Sequence, residues 1–332
     1  MNSKPTLDFQ VTRAEEGRRL DQLLHARIPW RSRESLKSLI AAGEVRLNGR
    51  PTKPAARVAV GDAIETPVRD PRVLARQTFD CVVPVLLEEQ DFLVVDKPSG
   101  LSTHPTARYL QANLTSALRG MYGEPAPSAV HRLDRETSGV LLCARNPGTH
   151  RALALQFERR EVKKFYHAVV TGVPDQSSGV LEGMLGRHNA SRVRIRVSVG
   201  GAGGVYARTD YRVIRAWEGF SLLELSPKTG RQHQIRAQLQ AAGHPVVGDK
   251  IYGPDEENFL AHLEGRLAAD ARNALLLERH ALHAFALRFR HPRTGDEVYA
   301  EAPLPQDIRS FIATLEEEPR EGSLDSARAP GW

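Results

Sequence analysis

The sequence is poor in cysteine: its 332 residues contain two, Cys81 and Cys143, far apart and neither in a CxxC pair. That excludes a disulfide framework and a cysteine zinc site, and it fits a reducing compartment. No run of about 18 apolar residues occurs, so no membrane-spanning helix is expected. The opening stretch MNSKPTLDFQVTRAEEGRRL has no apolar h-region and carries acidic side chains, which speaks against a secretory signal. The twelve histidines show no metal-ligand spacing such as HExxH. PKTG at residues 227–230 lacks the upstream glycine of a phosphate loop. GGAGG at 200–204 lacks the strand-turn-helix setting of a dinucleotide fingerprint and reads as a hairpin loop. No internal repeat is visible. The expectation from these absences is a cytoplasmic protein without cofactor, metal or membrane partner.

What is present is an ordinary globular composition, 41% hydrophobic and 26% charged, long enough for about two domains. The formal net charge is +6, and its distribution is uneven. Residues 1–60 hold twelve Lys or Arg against six Asp or Glu, an excess as large as that of the whole chain. A basic N-terminal module beside a near-neutral body fits an electrostatic footprint for phosphates. A solvated basic surface is the plain alternative.

Residues 18–65 read as a compact unit. Leu20, Leu23 and Leu24 share a helical face within 18–26. Ser32 is placed to cap a second helix, in which Leu36, Leu39 and Ile40 recur at helical intervals before Gly43 ends it. Short strands follow, with turns at Asn48-Gly49 and Gly61-Asp62. So little core suggests a binding module rather than an enzyme, assigned to residues 15–70. Prolines and weak periodicity place a linker at 71–84. From residue 85 to 315 strand-like runs (LLEEQDFLVVDKP, SGVLLCAR, FYHAVVTG, VYARTDYRVI, FSLLELSP) often succeed one another without an intervening helix. Helical patterns cover 149–160 and 233–242. This predicts an α+β domain around a mixed, largely antiparallel sheet flanked by helices and loops. Residues 255–280 read as a helical excursion, and 316–332 have the composition of a disordered tail.

The strongest chemical signal is His131-Arg132-Leu133-Asp134-Arg135-Glu136-Thr137-Ser138-Gly139, a polar loop entering the apolar run VLLCAR. A carboxylate flanked by basic residues stays ionised and can act as nucleophile or base. From composition alone, an Asp that caps a turn is the commoner explanation. Three further segments stand out: DKPSGLSTHP at 96–105, Lys164-Phe165-Tyr166-His167-Ala168, and Lys228-Thr229-Gly230-Arg231-Gln232-His233-Gln234-Ile235-Arg236. Taken singly, Tyr166 reads as a core tyrosine, Arg231 and Arg236 as surface arginines, and Pro98-Ser99-Gly100 as a plain turn.

Taken together and in this order they resemble the RluA family of pseudouridine synthases. HRLD, two variable positions and TSG specify seven residues, a match expected by chance about once in 10⁹ placements. The resemblance, continued by HPVVGDKIYG at 244–253 and ALHAFALRFRHPRTG, spans about residues 85–315. It implies a pseudouridine synthase fold, no cofactor, and Asp134 as the catalytic residue. It further implies that Tyr166 packs on the target base and helps remove the carbon 5 proton. Arg236 would pair with Asp134, and Arg132 and Arg231 would contact RNA. Lys97 in the first segment is a candidate phosphate contact. The N-terminal unit resembles the RNA-binding module named after the fourth protein of the small ribosomal subunit. It would present Arg31, Arg33, Lys37, Arg46 and Arg50 to phosphates.

The expected partner is a structured RNA, with large-subunit ribosomal RNA as the leading candidate, acted on by a monomer without obligate protein partner. Two other readings stay open. One is a catalytically silent RNA-binding or ribosome-assembly factor on the same fold, which predicts a replaced Asp in HRLD. The other is a hydrolytic RNA glycosidase, which needs a second carboxylate; Glu136 is the nearest in sequence.

Overall fold

The computed structural model describes residues 7–28, 31–67, 81–105, 112–253, 255–263 and 267–317. The chain divides into two compact units, Met1–Gln77 and Thr78–Trp332. The predicted linker and tail fall largely outside the described residues. Of the linker only residues 81–84 are described, without helix or strand, and Glu316 and Glu317 of the expected tail close the last helix instead.

In the first unit, helices α1 (Leu20–Arg27) and α2 (Arg33–Ala41) pack on a four-stranded antiparallel sheet. Its strands are β1 (Leu7–Gln10), β2 (Arg46–Leu47), β3 (Arg50–Pro51) and β4 (Ala63–Thr66), in the order β1-β4-β2-β3. Ser32 caps α2 by accepting from the Ser35 N–H at 3.2 Å. Leu20, Leu23, Leu24, Ile28, Leu36, Ile40 and Ile64 form the core. Strand β1 lies outside the unit expected from the pattern, and VAV at 58–60, expected as strand, has no strand structure.

The second unit is built on an eleven-stranded sheet. Its strands are β5 (Val85–Glu88), β6 (Phe92–Lys97), β7 (Ser128–Ala129), β8 (Ser138–Ala144), β9 (Lys163–Thr171), β10 (Ser178–Arg187), β11 (Val197–Val199), β12 (Ala202–Trp217), β13 (Phe220–Pro227), β14 (Leu282–Arg290) and β15 (Glu297–Glu301). The order is β11-β10-β12-β13-β9-β14-β8-β6-β5, with β15 beside β14 and β7 beside β8. Helix α3 (Leu114–Tyr122) covers Leu93, Val95, Leu141 and Cys143, while Leu153 of α4 (Pro147–Glu158) joins Phe92, Val94, Val140 and Leu142 in a separate cluster. Strands β6 and β8 therefore bury both faces, which explains their continuous apolar runs. Ile235 and Leu239 of α5 (Gln234–Ala241) pack against Val170, Leu223 and Leu225, with Ile308 of α8 (Gln306–Glu317). The excursion at 255–280 contains α6 (Glu257–Leu263) and α7 (Ala269–Ala274).

All strand pairings in this sheet are antiparallel except β14 with β8, among the described residues, where His283 faces Ser138 and Ala284 faces Gly139. A Cβ on Gly139, whose φ is +112°, would stand 2.1 Å from the Ala284 carbonyl oxygen. Only glycine permits that approach. Ala284 also faces Tyr166 of β9 on its other side. Strand β14 thus sets Tyr166 beside the turn that leads into β8. The fold is the expected α+β arrangement.

Candidate active site

Asp134 sits on the loop before β8, and that loop is braced from several directions. Thr137 donates its N–H to the Asp134 carbonyl at 3.1 Å, closing a tight turn. Thr103 Oγ1 donates to the Leu133 carbonyl at 2.9 Å and accepts the Leu133 N–H at 3.1 Å. His131 stacks on Phe157, with centroids 4.7 Å apart, and its Nε2 accepts the Leu142 N–H. Burial pushes that imidazole down to about 3, so it is neutral in this role. Lys97 is completely buried and donates to the carbonyls of Pro98, Leu101 and Arg135. Burial, then Arg279, push its ammonium down to about 7. An ammonium enclosed by three carbonyls cannot reach a phosphate. This corrects the expected RNA contact: Lys97 ties the 96–105 loop to the Asp134 loop.

Asp134 Oδ2 accepts from Arg236 Nη1 at 2.9 Å and lies 3.8 Å from His233 Nε2. Its side chain keeps 22% exposure, so a ligand in the cleft can reach it. Burial acts to raise the Asp134 carboxyl, and the opposing fields of His233 and Arg236 outweigh it, leaving it below the usual carboxylate value. Burial and Arg236 push His233 down to about 4, so near neutral pH Arg236 is the charge that keeps Asp134 ionised. Arg236 is itself held by Asp249, which accepts from Nε at 2.6 Å and Nη2 at 2.8 Å. The guanidinium lies 5.0 Å from the centre of the Tyr252 ring. Tyr252 accepts the Val197 N–H and lies 3.0 Å from His233 Nδ1.

A cleft of about 920 Å³ opens over this arrangement. Its lining includes Arg132, Asp134, Tyr166, Arg231, His233 and Arg236. Arg132 and Arg231 are exposed at its wall, and Tyr166 is half-buried. Burial, then the negative field of Asp134, push the Tyr166 phenol up, so it is un-ionised at neutral pH. That makes it an apolar platform with a hydroxyl to offer rather than a resting anionic base. Lys163, Lys164 and Lys228 add positive charge that the motifs alone do not assign to the site. Lys164 donates to the Thr229 carbonyl, and burial followed by Arg160 pushes it down to about 8.

Asp249, His233 and Tyr252 are site residues that the sequence does not single out. Asp249 has a discernible signal all the same, because a buried arginine needs a buried carboxylate and Gly248-Asp249 lies within the run HPVVGDKIYG. Gly248 has φ +76°, and a Cβ there would stand 2.1 Å from the Arg279 carbonyl oxygen. Glu136, the carboxylate a hydrolytic reading needs, is not among the residues lining the cleft and is bound by Lys250 at 3.2 Å. Among the described residues, no group of three or more His, Cys, Asp or Glu side chains is placed to hold a metal ion.

In the N-terminal unit, Asp21 is fully buried and accepts from Arg19 Nε at 3.0 Å and Arg33 Nη2 at 2.8 Å. Arg19, then Arg33, hold its carboxyl down to about 2 against burial. Arg33 is thereby oriented from α1. Lys37 pairs with Glu34, and Arg31 donates to Ser35 Oγ. Arg46 and Arg50 stand exposed on the β2–β3 hairpin.

The family model described as RNA pseudouridylate synthase matches residues 91–241, and the S4 domain model matches residues 18–64. A protein of Chlorobaculum parvum described as an uncharacterized RNA pseudouridine synthase is 36% identical over 321 residues, covering 93% of this chain and 97% of its own. The ribosomal large subunit pseudouridine synthase D of Zymomonas mobilis is 34% identical over 318 residues, covering 92% and 97%. The solved structure of human RNA pseudouridylate synthase domain containing 1 superposes with a TM-score of 0.53 at 26% identity, covering 72% of this chain and 96% of that one.

Proposed function

The chain belongs to the RluA-type family of RNA pseudouridine synthases, isomerases that here carry an N-terminal S4 domain, and on that premise we propose that it converts specific uridines of large-subunit ribosomal RNA to pseudouridine with Asp134 as the catalytic residue. The observation that carries this reading is the Asp134 carboxylate, kept ionised by Arg236 at 2.9 Å and reachable from a basic cleft. The ribosomal target is supported by the named relative in Zymomonas mobilis, which matches over nearly its whole length.

The reaction breaks the bond from ribose carbon 1 to uracil nitrogen 1 and forms one from ribose carbon 1 to carbon 5. Carbon 5 loses a proton and nitrogen 1 gains one, so the overall change is an isomerisation. A stacked uridine hides these atoms, and the base has to be flipped into the cleft at a cost of a few kcal/mol. Arg132 at the cleft wall holds the opened RNA, and Arg231 with the neighbouring lysines meets phosphates. Tyr166 supports the uracil ring. Asp134 then acts either as nucleophile, at ribose carbon 1 or uracil carbon 6, or as base toward the ribose carbon 2 proton. Residues 15–70 serve as the RNA-binding module and 85–315 as the catalytic domain, in a monomer acting in the cytoplasm.

Asp134→Asn keeps the shape of the side chain and removes its charge. It is expected to lower pseudouridine formation at least about 1,000-fold while RNA affinity stays within about threefold of wild type. Pseudouridine mapping on ribosomal RNA from a deletion strain, complemented with wild type or the variant, provides the check. Full modification by the variant would overturn the assignment, and an unmodified profile with wild type would point to a silent RNA-binding factor.

A further inference from the structure

Behind the Asp134 turn lies a second polar cluster that the proposed chemistry does not use. Thr137, which closes that turn through its N–H, is only 2% exposed, and its Oγ1 lies 2.8 Å from His280 Nε2. His280 is 1% exposed. Its other nitrogen, Nδ1, has no hydrogen-bond partner among the described residues and stands 3.7 Å from Glu136 Oε2. Glu136 is anchored in turn by Lys250, at 3.2 and 3.3 Å, and by Arg135 Nη2 at 3.2 Å. Lys250 also donates to the Glu278 carbonyl.

A buried imidazole with one unanswered nitrogen is uncommon. Here the neighbouring carboxylate decides which nitrogen carries the proton. With the proton on Nε2, the bare lone pair of Nδ1 would lie 3.7 Å from the negative Glu136. With the proton on Nδ1, the positive end of the N–H lies near the carboxylate, 3.7 Å away, and the bare Nε2 takes a hydrogen from the Thr137 hydroxyl. The adjacent pair has the same polarity at its hydroxyl. His283 Nε2 faces the Ala302 carbonyl at 3.2 Å, and since a carbonyl only accepts, Nδ1 accepts from Ser138 Oγ at 2.9 Å. Two successive hydroxyls, Thr137 just before β8 and Ser138 at its start, thus meet His280 just before β14 and His283 within it.

We propose that Glu136, His280 and Thr137 form a relay that positions the catalytic turn: the Glu136 carboxylate selects the Nδ1–H form of His280, whose Nε2 locks the Thr137 hydroxyl and with it the backbone presenting Asp134. This rests on Asp134 being the catalytic group. The three residues touch no reacting atom. They are positioning residues, and the orientation they impose is worth what misalignment of a reacting group costs.

The relay is tested in two ways on the full-length protein. In [15N]histidine-labelled protein at pH 7, two-bond nitrogen–proton correlations should give His280 as the Nδ1–H tautomer, identified by the signals missing from His280→Gln. A His280 with its proton on Nε2 would overturn the relay. With an in vitro large-subunit ribosomal RNA transcript as probe, Thr137→Val and His280→Ala should each lower kcat about 10- to 100-fold, with KM within about twofold. Thr137→Ser should recover most of that loss, and the double variant should be no worse than the poorer single. Additive losses, or Thr137→Ser as poor as Thr137→Val, would sink the idea. Should His280→Ala not fold, the contrast between the two Thr137 variants decides. A wild-type enzyme inactive on the transcript would count against the proposed function, and the tautomer measurement stands in either case.

Discussion

Arg236 is shared between two carboxylates in unequal fashion. Asp249 holds it through two parallel hydrogen bonds, whereas Asp134 receives one. A guanidinium already fixed by a buried partner can support the ionised Asp134 without being free to enclose it. Asp249→Asn should therefore do two things. It should cost about 3 kcal/mol of stability at pH 7, since a buried charge loses its partner. It should also lower kcat, because Arg236 is released toward Asp134. Arg236 and its neighbours hold the Asp249 carboxyl far below the usual range, against burial. A depressed carboxyl stabilises the fold above its unfolded value of about 3.9, and that contribution is lost as pH falls below it. The stability gap between wild type and variant, read from urea unfolding, should thus be constant from pH 7 to about 4.5. A gap that closes within that window would show that Asp249 is not the depressed group.

At the scale of elements, short-range signals are the legible ones. Asn48-Gly49 makes a tight hairpin, with φ of +52° and +73°, because these two residue types accept left-handed backbone without outside help. The Ser32 cap and the apolar face of α2 are local in the same sense. Strand β10 is not legible: SGVLEGMLGR places glycine at 179, 183 and 186, which blurs its alternation. Those glycines are explained only by neighbours, as at Gly179, where a Cβ would stand 2.7 Å from the Tyr211 ring of β12. The run LLEEQDFLVVDKP, one strand by pattern, is a hairpin of β5 and β6. The β2–β3 hairpin carries a prediction of its own. Arg46→Ala with Arg50→Ala should weaken RNA binding and lower the slope of log affinity against log salt by about 1 for each phosphate no longer neutralised. An unchanged slope in filter binding at several salt concentrations would remove this hairpin from the RNA interface.

For the molecule as a whole, four enclosed histidines are expected to shape the response to acid. Burial pushes His131 and His280 down to about 3, and His233 and His283 down to about 4. Each is lowered relative to its unfolded value of about 6.5, so between these values the unfolded chain binds the extra proton. Stability should therefore rise with pH across this window and fall as pH drops from about 6.5 toward 4. Each group contributes a slope of up to about 1.4 kcal/mol per pH unit. Urea midpoints at pH 7, 6 and 5 check this, and His131→Gln should flatten the dependence. Midpoints that do not move between pH 7 and 5 would contradict the neutral state assigned to these side chains.

Sequence by itself determined the elements with strong local periodicity, the basic character of the N-terminal unit, and the ordered motifs that single out Asp134, Tyr166 and Arg236. These are properties of neighbouring residues, and spacing along the chain is enough to express them. Tertiary structure alone decided who meets whom. It enclosed Lys97 in carbonyls, gave Arg236 a second carboxylate in Asp249 beside the Asp134 that the motifs already imply, and set His280 against Thr137. The physical reason is that a periodic pattern tells which face of an element is buried but not which element covers it. That is settled by strand register, and at this site by the parallel pairing of β14 with β8 over Gly139.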